Sequence, residues 1–214
     1  MQAKLDHLVF GSASLEQGAA WLEKRLCAQL QPGGKHALMG THNRLLRIGE
    51  LSYLELIAID PDAEKPSRPR WFGLDKLTAE NGEVRLLTWA ASVVRLSECQ
   101  PSYDAGQVLP MTRGALSWHI TVQESGNMPD NGVLPALIEW PAGVHPAAAL
   151  PQSEVSLERL ELLVPDQEPI AAALDSICLS ASANKIHIRQ DKAGPRLRVE
   201  LRTPAGRVHF ESGG

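Results

Sequence analysis

The hydrophobic pattern changes period twice within residues 1–60. Residues 5–10 alternate as a half-buried strand does, and a Gly-Ser pair ends that run. Ser14 and Gln17 then fit a helix-capping box, and the leucines after them recur at helical spacing until the Pro-Gly-Gly run at residues 32–34. Residues 36–39, 43–48 and 52–59 fit three short strands between turn signals. The predicted order is β, α, β, β, β.

The same order of elements is predicted twice more along the chain. A proline-bearing connector leads to a second module, with strands at residues 84–91, 107–111, 115–123 and 133–140 and a weak helix at 92–100. A third module follows, with a strand at 156–164, a helix at 167–177 and strands at 185–190, 196–203 and 207–212. The predicted module boundaries are 1–60, 82–148 and 153–214.

The three modules also carry related residues at matching places. The first strands offer His7, Trp89 and Arg159, and the fourth strands offer Glu55, Glu139 and Glu211 at nearly equal separations. A glutamate that recurs at the end of each module favours duplication of one structural unit. The sequence therefore predicts an α+β fold built from repeated βαβββ modules.

Particular segments resemble a known family. The segments LDHLVF, GTHNRLLRIG and YLELIAID of the first module, and LLTWAAS, LSWHITV and LIEWPAGVHPA of the second, are similar to the glyoxalase-like family of the vicinal-oxygen-chelate superfamily. The resemblance implies that the first two modules pair into a cupped mixed sheet with a small-molecule site inside. Residues after 153 match only by their βαβββ-like pattern, so the third, C-terminal module could cover a sheet edge or pair across a homodimer.

The resemblance also implies a metal site. In that superfamily a divalent metal is held by residues from the first and fourth strands of both modules, which correspond here to His7, Glu55, Trp89 and Glu139. Trp89 cannot be a ligand, and His119 on a neighbouring strand could replace it if its side chain faces inward. Imidazole and carboxylate ligands suit zinc, iron, manganese or nickel. The implied ligands are His7, Glu55 and Glu139.

Glu55 is the residue whose setting most favours a site. It lies between two leucines and is predicted to share a face with Tyr53 and Ile57, where an unpaired carboxylate is costly. Such a carboxylate needs a cation, a metal or a proton. Without a metal, Glu55 or Glu139 could be the catalytic base. A structural pair of His7 with Glu55, or a glutamate that faces solvent, remains the alternative.

Other residues are candidates for ligand binding. Trp89 and Trp118 could stack on a planar ligand, although filling the core is the commoner role of tryptophan. His42 and Asn43 follow a turn that could lie at the rim of the pocket, and plain turn chemistry is the alternative. His145 is held extended by the following proline and could reach over the site or lie on a surface loop. His36, His187 and His209 are expected to be structural or exposed.

Charge and composition narrow the classes of function. The net charge of -4 gives no positive field for a nucleic acid, and no segment resembles a leader peptide or a membrane span. Three dispersed cysteines do not form a disulfide framework, so a cytoplasmic protein is expected. Two functions remain open. One is a small-molecule enzyme with isomerase, lyase or dioxygenase chemistry, with or without a divalent metal. The other is a non-catalytic small-molecule-binding or sequestering protein of the same fold.

Overall fold

The computed structural model describes residues 2–77, 84–179 and 185–213, which fold into two sheets. An eight-stranded sheet contains the strands of the first two modules, and a four-stranded sheet contains those of the third. Both sheets are mixed, and few helices accompany them, which confirms the predicted α+β class. Within the described residues no helix has the length and apolar character needed to cross a membrane.

The eight-stranded sheet is built from two units joined along their first strands. Its elements in chain order are β1 Lys4–Gly11, α1 Leu15–Leu26, β2 Gln31–His36, β3 Thr41–Arg47, β4 Tyr53–Ile59, β5 Arg85–Ser92, β6 Gln107–Arg113, β7 Leu116–Val122 and β8 Ala136–Glu139, followed by the short helix α2 Pro146–Ala149. The strand order is β2-β3-β4-β1-β5-β8-β7-β6. Strand β1 runs parallel to β4 and antiparallel to β5, so the two modules meet at the middle of the cupped sheet.

The C-terminal module keeps the predicted order of elements and changes their pairing. It consists of β9 Ser156–Val164, α3 Glu168–Ser176, β10 Ile186–Gln190, β11 Arg196–Thr203 and β12 Gly206–Glu211. Strand β9 lies between β10 and β11, whereas β1 pairs with the last strand of its own module. Arg159 and Glu211, which hold the matching places in this module, therefore do not pair with each other. Glu211 contacts Arg196 and Arg198, and Arg159 contacts Glu161.

The two faces of the large sheet bury different sets of side chains. Leu8, Phe10 and Leu56 point to the convex face, where α1 and the C-terminal sheet cover them in one core. Val9 and Ile57, which alternate with them, point to the concave face and form a second core. This alternation assigns each strand residue either to the covered outside of the sheet or to its hollow inside.

Two predicted elements differ in the structure. The segment 36–39, predicted as a strand, is mostly a 3-10 turn, Ala37–Met39, and β2 instead includes the Pro-Gly-Gly run. Strand β2 lies at the sheet edge, where proline and an irregular register are tolerated. The weak helix predicted at 92–100 is a single 3-10 turn, Leu96–Glu98. The convex side of β5 packs instead in the core that the C-terminal sheet shares.

Candidate functional site

A β-bulge in β1 places two consecutive side chains on the concave face. Leu5 pairs with Ala91 and His7 pairs with Ala90, so Asp6 is an extra residue without a partner on β5. A bulge of this kind turns a side chain to the other face of its strand. Asp6 thus lies on the same side as His7, and both are buried.

Asp6 is a buried carboxylate surrounded by donors. Its Oδ1 lies 2.7 Å from Nδ1 of His7, and its Oδ2 accepts hydrogen bonds from Nε1 of Trp140 at 2.9 Å and from Nε2 of His145 at 3.1 Å. Burial alone would raise the pKa of Asp6, but the hydrogen bonds and positive potential of His145 and His7 outweigh it and lower the pKa to about 2. Asp6 is therefore an anion that only accepts hydrogen bonds.

These contacts fix the proton on each imidazole. Because Asp6 only accepts, Nδ1 of His7 must donate to it, and the neutral ring then carries its lone pair on Nε2. In His145 the backbone N–H of Ala147 donates to Nδ1, so its ring proton lies on Nε2 and points at Asp6. The result is an oriented pair, Asp6 and His7, with an unprotonated Nε2 available in the neutral ring.

Glu55 faces that nitrogen from the adjacent strand β4. Its Oε2 lies 3.6 Å from Nε2 of His7, and its Oε1 accepts a 2.5 Å hydrogen bond from the side-chain amide of Asn43. The amide orientation of Asn43 is fixed because its Oδ1 accepts from the backbone N–H of Gly34 at 2.9 Å. A Cβ on Gly33 would meet that oxygen at 1.9 Å, so a glycine is needed at this position.

His36 contacts the side-chain amide of Asn43. Its Nδ1 lies 3.0 Å from the hydroxyl of Thr41, and its Nε2 lies 3.4 Å from the amide nitrogen of Asn43. Burial lowers the pKa of His36 to about 4, against an opposing effect of Glu55. At neutral pH His36 is therefore a neutral, hydrogen-bonded side chain, which agrees with the expectation that it is structural.

Aromatic side chains close the cavity around these polar groups. The ring of Tyr53 stacks on His7 with centroids 4.6 Å apart. Burial, followed by the negative charges of Asp6 and Glu55, raises the pKa of the Tyr53 hydroxyl well above its usual range. The other walls are Trp71, Phe72, Trp118, Trp140, Ile120, Ile138 and Arg113. The enclosed space between them is so narrow that it admits the centre of about one water molecule.

Trp89 does not line this cavity. It is fully buried on the convex face, and its Nε1 donates to the carbonyl of Val133 at 2.8 Å. The predicted stacking role for Trp89 is therefore wrong, because the alternation of β5 turns it towards the shared core. Trp118 does lie on the concave face and contacts the rings of His36 and Trp140.

Glu139, His119 and His42 also point away from the cavity. In β8 the cavity residue is Ile138, and the next side chain, Glu139, accepts a 2.7 Å hydrogen bond from the backbone N–H of Leu96. His119 pairs with Glu139 across the strands and is exposed. His42 lies next to the inward-facing Asn43 and so on the other face of β3. The structure does not bring these three to His7 and Glu55.

Strand register shows what replaces the second half of the site. Strands β1 and β5 pair symmetrically about the pair Leu8 and Trp89. On one side of it His7 pairs with Ala90, and on the other side Val9 pairs with Thr88. His7 therefore corresponds to Thr88, not to Trp89. The parallel pairs Val9 with Glu55 and Ala90 with Ala136 make Glu55 correspond to Ala136. The predicted alignment was one residue out of register on β5, and such a slip inverts the face.

The residues present do not fit a three-ligand metal site. Nε2 of His7 and the carboxylate of Glu55 converge, but Thr88 and Ala136 stand where the second module would supply further ligands. Over the described ranges, no group of three or more His, Cys, Asp or Glu side chains is arranged to hold a metal ion. Catalytic metal sites in proteins usually use about three protein ligands.

The comparison with protein families assigns the fold. A model of the glyoxalase-like domain matches residues 5–178, which covers most of the chain and both units of the cupped sheet. The chain belongs to this glyoxalase-like family, within the vicinal-oxygen-chelate superfamily. A search of curated proteins found no match to the sequence.

Solved structures with the same fold are distant in sequence. A hypothetical protein from Staphylococcus aureus is 15% identical, with a TM-score of 0.57 over 99% of this chain and 86% of that one. A methylmalonyl-CoA epimerase bound to methylmalonyl-CoA is 17% identical, with a TM-score of 0.44 over 68% of this chain and 100% of that one. A variant of 4-hydroxymandelate synthase from Streptomyces coelicolor is 11% identical, with a TM-score of 0.44 over 99% and 62%. At 15% identity the likeness to the Staphylococcus aureus protein concerns the fold alone.

Several cavity residues escaped the sequence reasoning. Asp6 was assigned to the face opposite His7, because strict alternation does not reveal a bulge. Trp71 and Phe72 come from the proline-bearing connector, and Arg113 ends an edge strand. One signal was present in the sequence: an aspartate beside a buried histidine is a usual partner for its second ring nitrogen.

Proposed function

We propose that the protein is a small-molecule enzyme that moves a proton to or from a carbon beside a carbonyl group, with His7 as its base and Glu55 as the carboxylate that faces it. The single observation that carries the proposal is the meeting of an oriented imidazole nitrogen and a carboxylate oxygen, 3.6 Å apart, in a buried cavity. Isomerases and lyases use this type of proton transfer.

The geometry supports a specific division of labour. The lone pair on Nε2 of His7 takes the proton from the substrate carbon, and the electron pair of the broken C–H bond moves to the carbonyl oxygen. The imidazolium that forms lies between the carboxylates of Asp6 and Glu55, which stabilise its charge. Return of the proton to another atom completes an isomerisation, and loss of a leaving group instead completes an elimination.

Asp6 and Asn43 act as positioning residues in this scheme. Asp6 holds the proton of His7 on Nδ1, and Trp140 and His145 hold Asp6. Asn43 holds the carboxylate of Glu55 towards His7. Of the three implied metal ligands, His7 and Glu55 converge in the cavity and Glu139 does not. The proposed proton transfer therefore uses no metal.

Deuterium exchange tests the proposal without a known substrate. A panel of small 2-oxo acids, hydroxy acids and ketones is incubated with the protein in D2O, with chelator or with added zinc or manganese, and exchange at carbon is followed by NMR. We expect exchange with chelator present, and a loss of about 100-fold or more in His7→Gln. His42→Gln is the matched control, because His42 lies on the other face of its strand.

The possible results separate the candidate functions. Exchange that survives in His7→Gln, or that needs added metal, contradicts the proposed mechanism. Ligand binding without any exchange favours the second candidate, a non-catalytic binding protein. That candidate has support in the walls formed by Trp71, Trp118 and Trp140 around the cavity.

A further inference from the structure

We propose that Arg113 is the carboxylate-binding residue of this cavity, so that the ligand is a small organic anion. Arg113 ends β6, on a different wall from His7 and Glu55 of β1 and β4. The proposal deepens the proposed function by naming its substrate class. The reaction of the ligand depends on the proposed function, whereas its binding at Arg113 does not.

The guanidinium of Arg113 is a nearly buried cation without an anionic partner. The residue is 8% exposed and lines the cavity. Across the described residues the guanidinium forms no hydrogen bond or ion pair, and it lies over the ring of Trp118, with its carbon 5.8 Å from the ring centre. A cation–π contact is weaker than the hydrogen-bonded pairing that a buried charge requires.

Arg70 provides an internal comparison. It is also 8% exposed, but its guanidinium donates to Asp75 at 2.7 Å and its backbone N–H donates to the same carboxylate at 2.8 Å. This chain therefore pairs one buried arginine fully and leaves another, inside the cavity, unpaired. The difference points to an external anion at Arg113, because a guanidinium fork matches a carboxylate with two parallel hydrogen bonds.

The arginine is held in place by its surroundings. A Cβ on Gly34 would meet Cγ of Arg113 at 2.7 Å, so the aliphatic stem packs directly against the backbone of β2. This contact lies where the two edge strands of the sheet, β2 and β6, approach each other. The aliphatic stem of Arg113 is thus held where the cup closes, and the residue lines the cavity there.

A second unused donor lines the same cavity. Trp71 is 3% exposed, and its Nε1–H is buried without a hydrogen-bond partner in the described chain. A buried N–H without a partner is costly, so a ligand acceptor would stabilise it. The cavity therefore has acceptors on the β1 and β4 wall and unfilled donors at Arg113 and Trp71.

The polarity of the two walls defines the ligand. Its carboxylate would accept from Arg113, an oxygen would accept from Trp71, and the proton-bearing carbon would face His7. A small carboxylic acid with a carbonyl or hydroxyl group beside the carboxylate has this arrangement. Because the cavity admits about one water molecule, some of its wall side chains must move to accept such a ligand.

Paired ligands that differ only in charge test the inference. Acetate and benzoate are compared with acetamide and benzamide by tryptophan fluorescence and calorimetry on the full chain. We expect at least one carboxylate to bind about 10-fold or more tightly than its amide, and to lose that advantage in Arg113→Met. Arg113→Lys keeps the charge without the fork and should bind with intermediate affinity, and Arg44→Met is the control on the other face of β3.

The outcomes are distinguishable from those of the proposed function. Binding of acetate or benzoate needs no proton transfer, so the binding assay can succeed where the exchange assay fails. Arg113-dependent binding without deuterium exchange leaves this inference standing and removes the enzyme. Equal affinity for carboxylate and amide, no carboxylate binding, or unchanged binding in a folded Arg113→Met overturns it.

Discussion

Nε2 of His7 lies 3.6 Å from Oε2 of Glu55, which is slightly too far for a hydrogen bond. The other polar contacts in this part of the cavity, from Thr41 to His145, are within hydrogen-bond distance. The chain of contacts is thus interrupted at one place, between the two groups best suited to exchange a proton. A substrate atom that bridges them would complete the chain.

Replacement of Asp6 by asparagine should remove an acid-dependent part of the stability. The folded pKa of about 2 lies below the usual 3.8, so the ionised group stabilises the fold above about pH 4, and this contribution is lost as the pH falls towards 2. We expect Asp6→Asn to unfold more easily by about 2 kcal/mol above pH 4. Urea unfolding should show the difference from wild type shrinking below pH 4, and a difference that does not vary with pH contradicts this.

His36 should lower the free energy of unfolding in mild acid. Its folded pKa of about 4 lies below 6.5, so the unfolded chain binds the proton first and stability falls as the pH drops from 6.5 to 4. The full effect is about 3 kcal/mol. In His36→Gln the unfolding free energy should be lower at pH 8 and depend less on pH in this range. Parallel pH profiles for variant and wild type would contradict the assignment.

Substitution of Gly33 by alanine should act on the site through Asn43. The new Cβ would lie 1.9 Å from Oδ1 of Asn43, so the amide must move away from Gly34 and from Glu55. We expect a loss of about 1–3 kcal/mol in stability and a shift of the Asn43 side-chain amide signals in the NMR spectrum. Gly213→Ala, where a Cβ meets nothing within 4 Å, is the control. An unmoved amide signal would show that Asn43 is not held as described.

Two tryptophan variants should separate the core from the cavity. Trp89→Phe leaves the carbonyl of Val133 without its donor and should lower the unfolding free energy by about 1–3 kcal/mol, with ligand affinity unchanged. Trp118→Phe changes a wall of the cavity and should weaken the binding of acetate or benzoate. If Trp89→Phe affects binding as much as Trp118→Phe, the assignment of the two faces is incorrect.

The sequence predicted the βαβββ order and the face of Glu55 because alternation is a local property. Leu54 and Leu56 point to the convex core, so Glu55 between them must point to the cavity with Tyr53. Membership of the family was also predictable, because the segments of the first two modules carry it. That His7 lies opposite Glu55 was implied by the resemblance, which pairs the first and fourth strands of a module.

The second half of the site could not be predicted in the same way. Bulges in β1 and β5 each insert one residue and so change which side chains face inward, and nothing in the alternation marks them. The matched separations placed Trp89 one residue and Glu139 three residues from the positions that correspond to His7 and Glu55, and an odd shift changes the face. Trp71 and Arg113 reach the cavity through the folding of a connector and the closure of edge strands, which are tertiary effects without a local sequence signal.

The ring nitrogens of His7 give the most direct measurement of the central claim. Proton–nitrogen correlation spectra of labelled protein report which nitrogen carries the proton. For the neutral ring we predict a protonated Nδ1 and an unprotonated Nε2, and a change in this tautomer balance in Asp6→Asn. A His7 ring with its proton on Nε2 in the wild type would contradict the account, because the base would then have no lone pair facing Glu55.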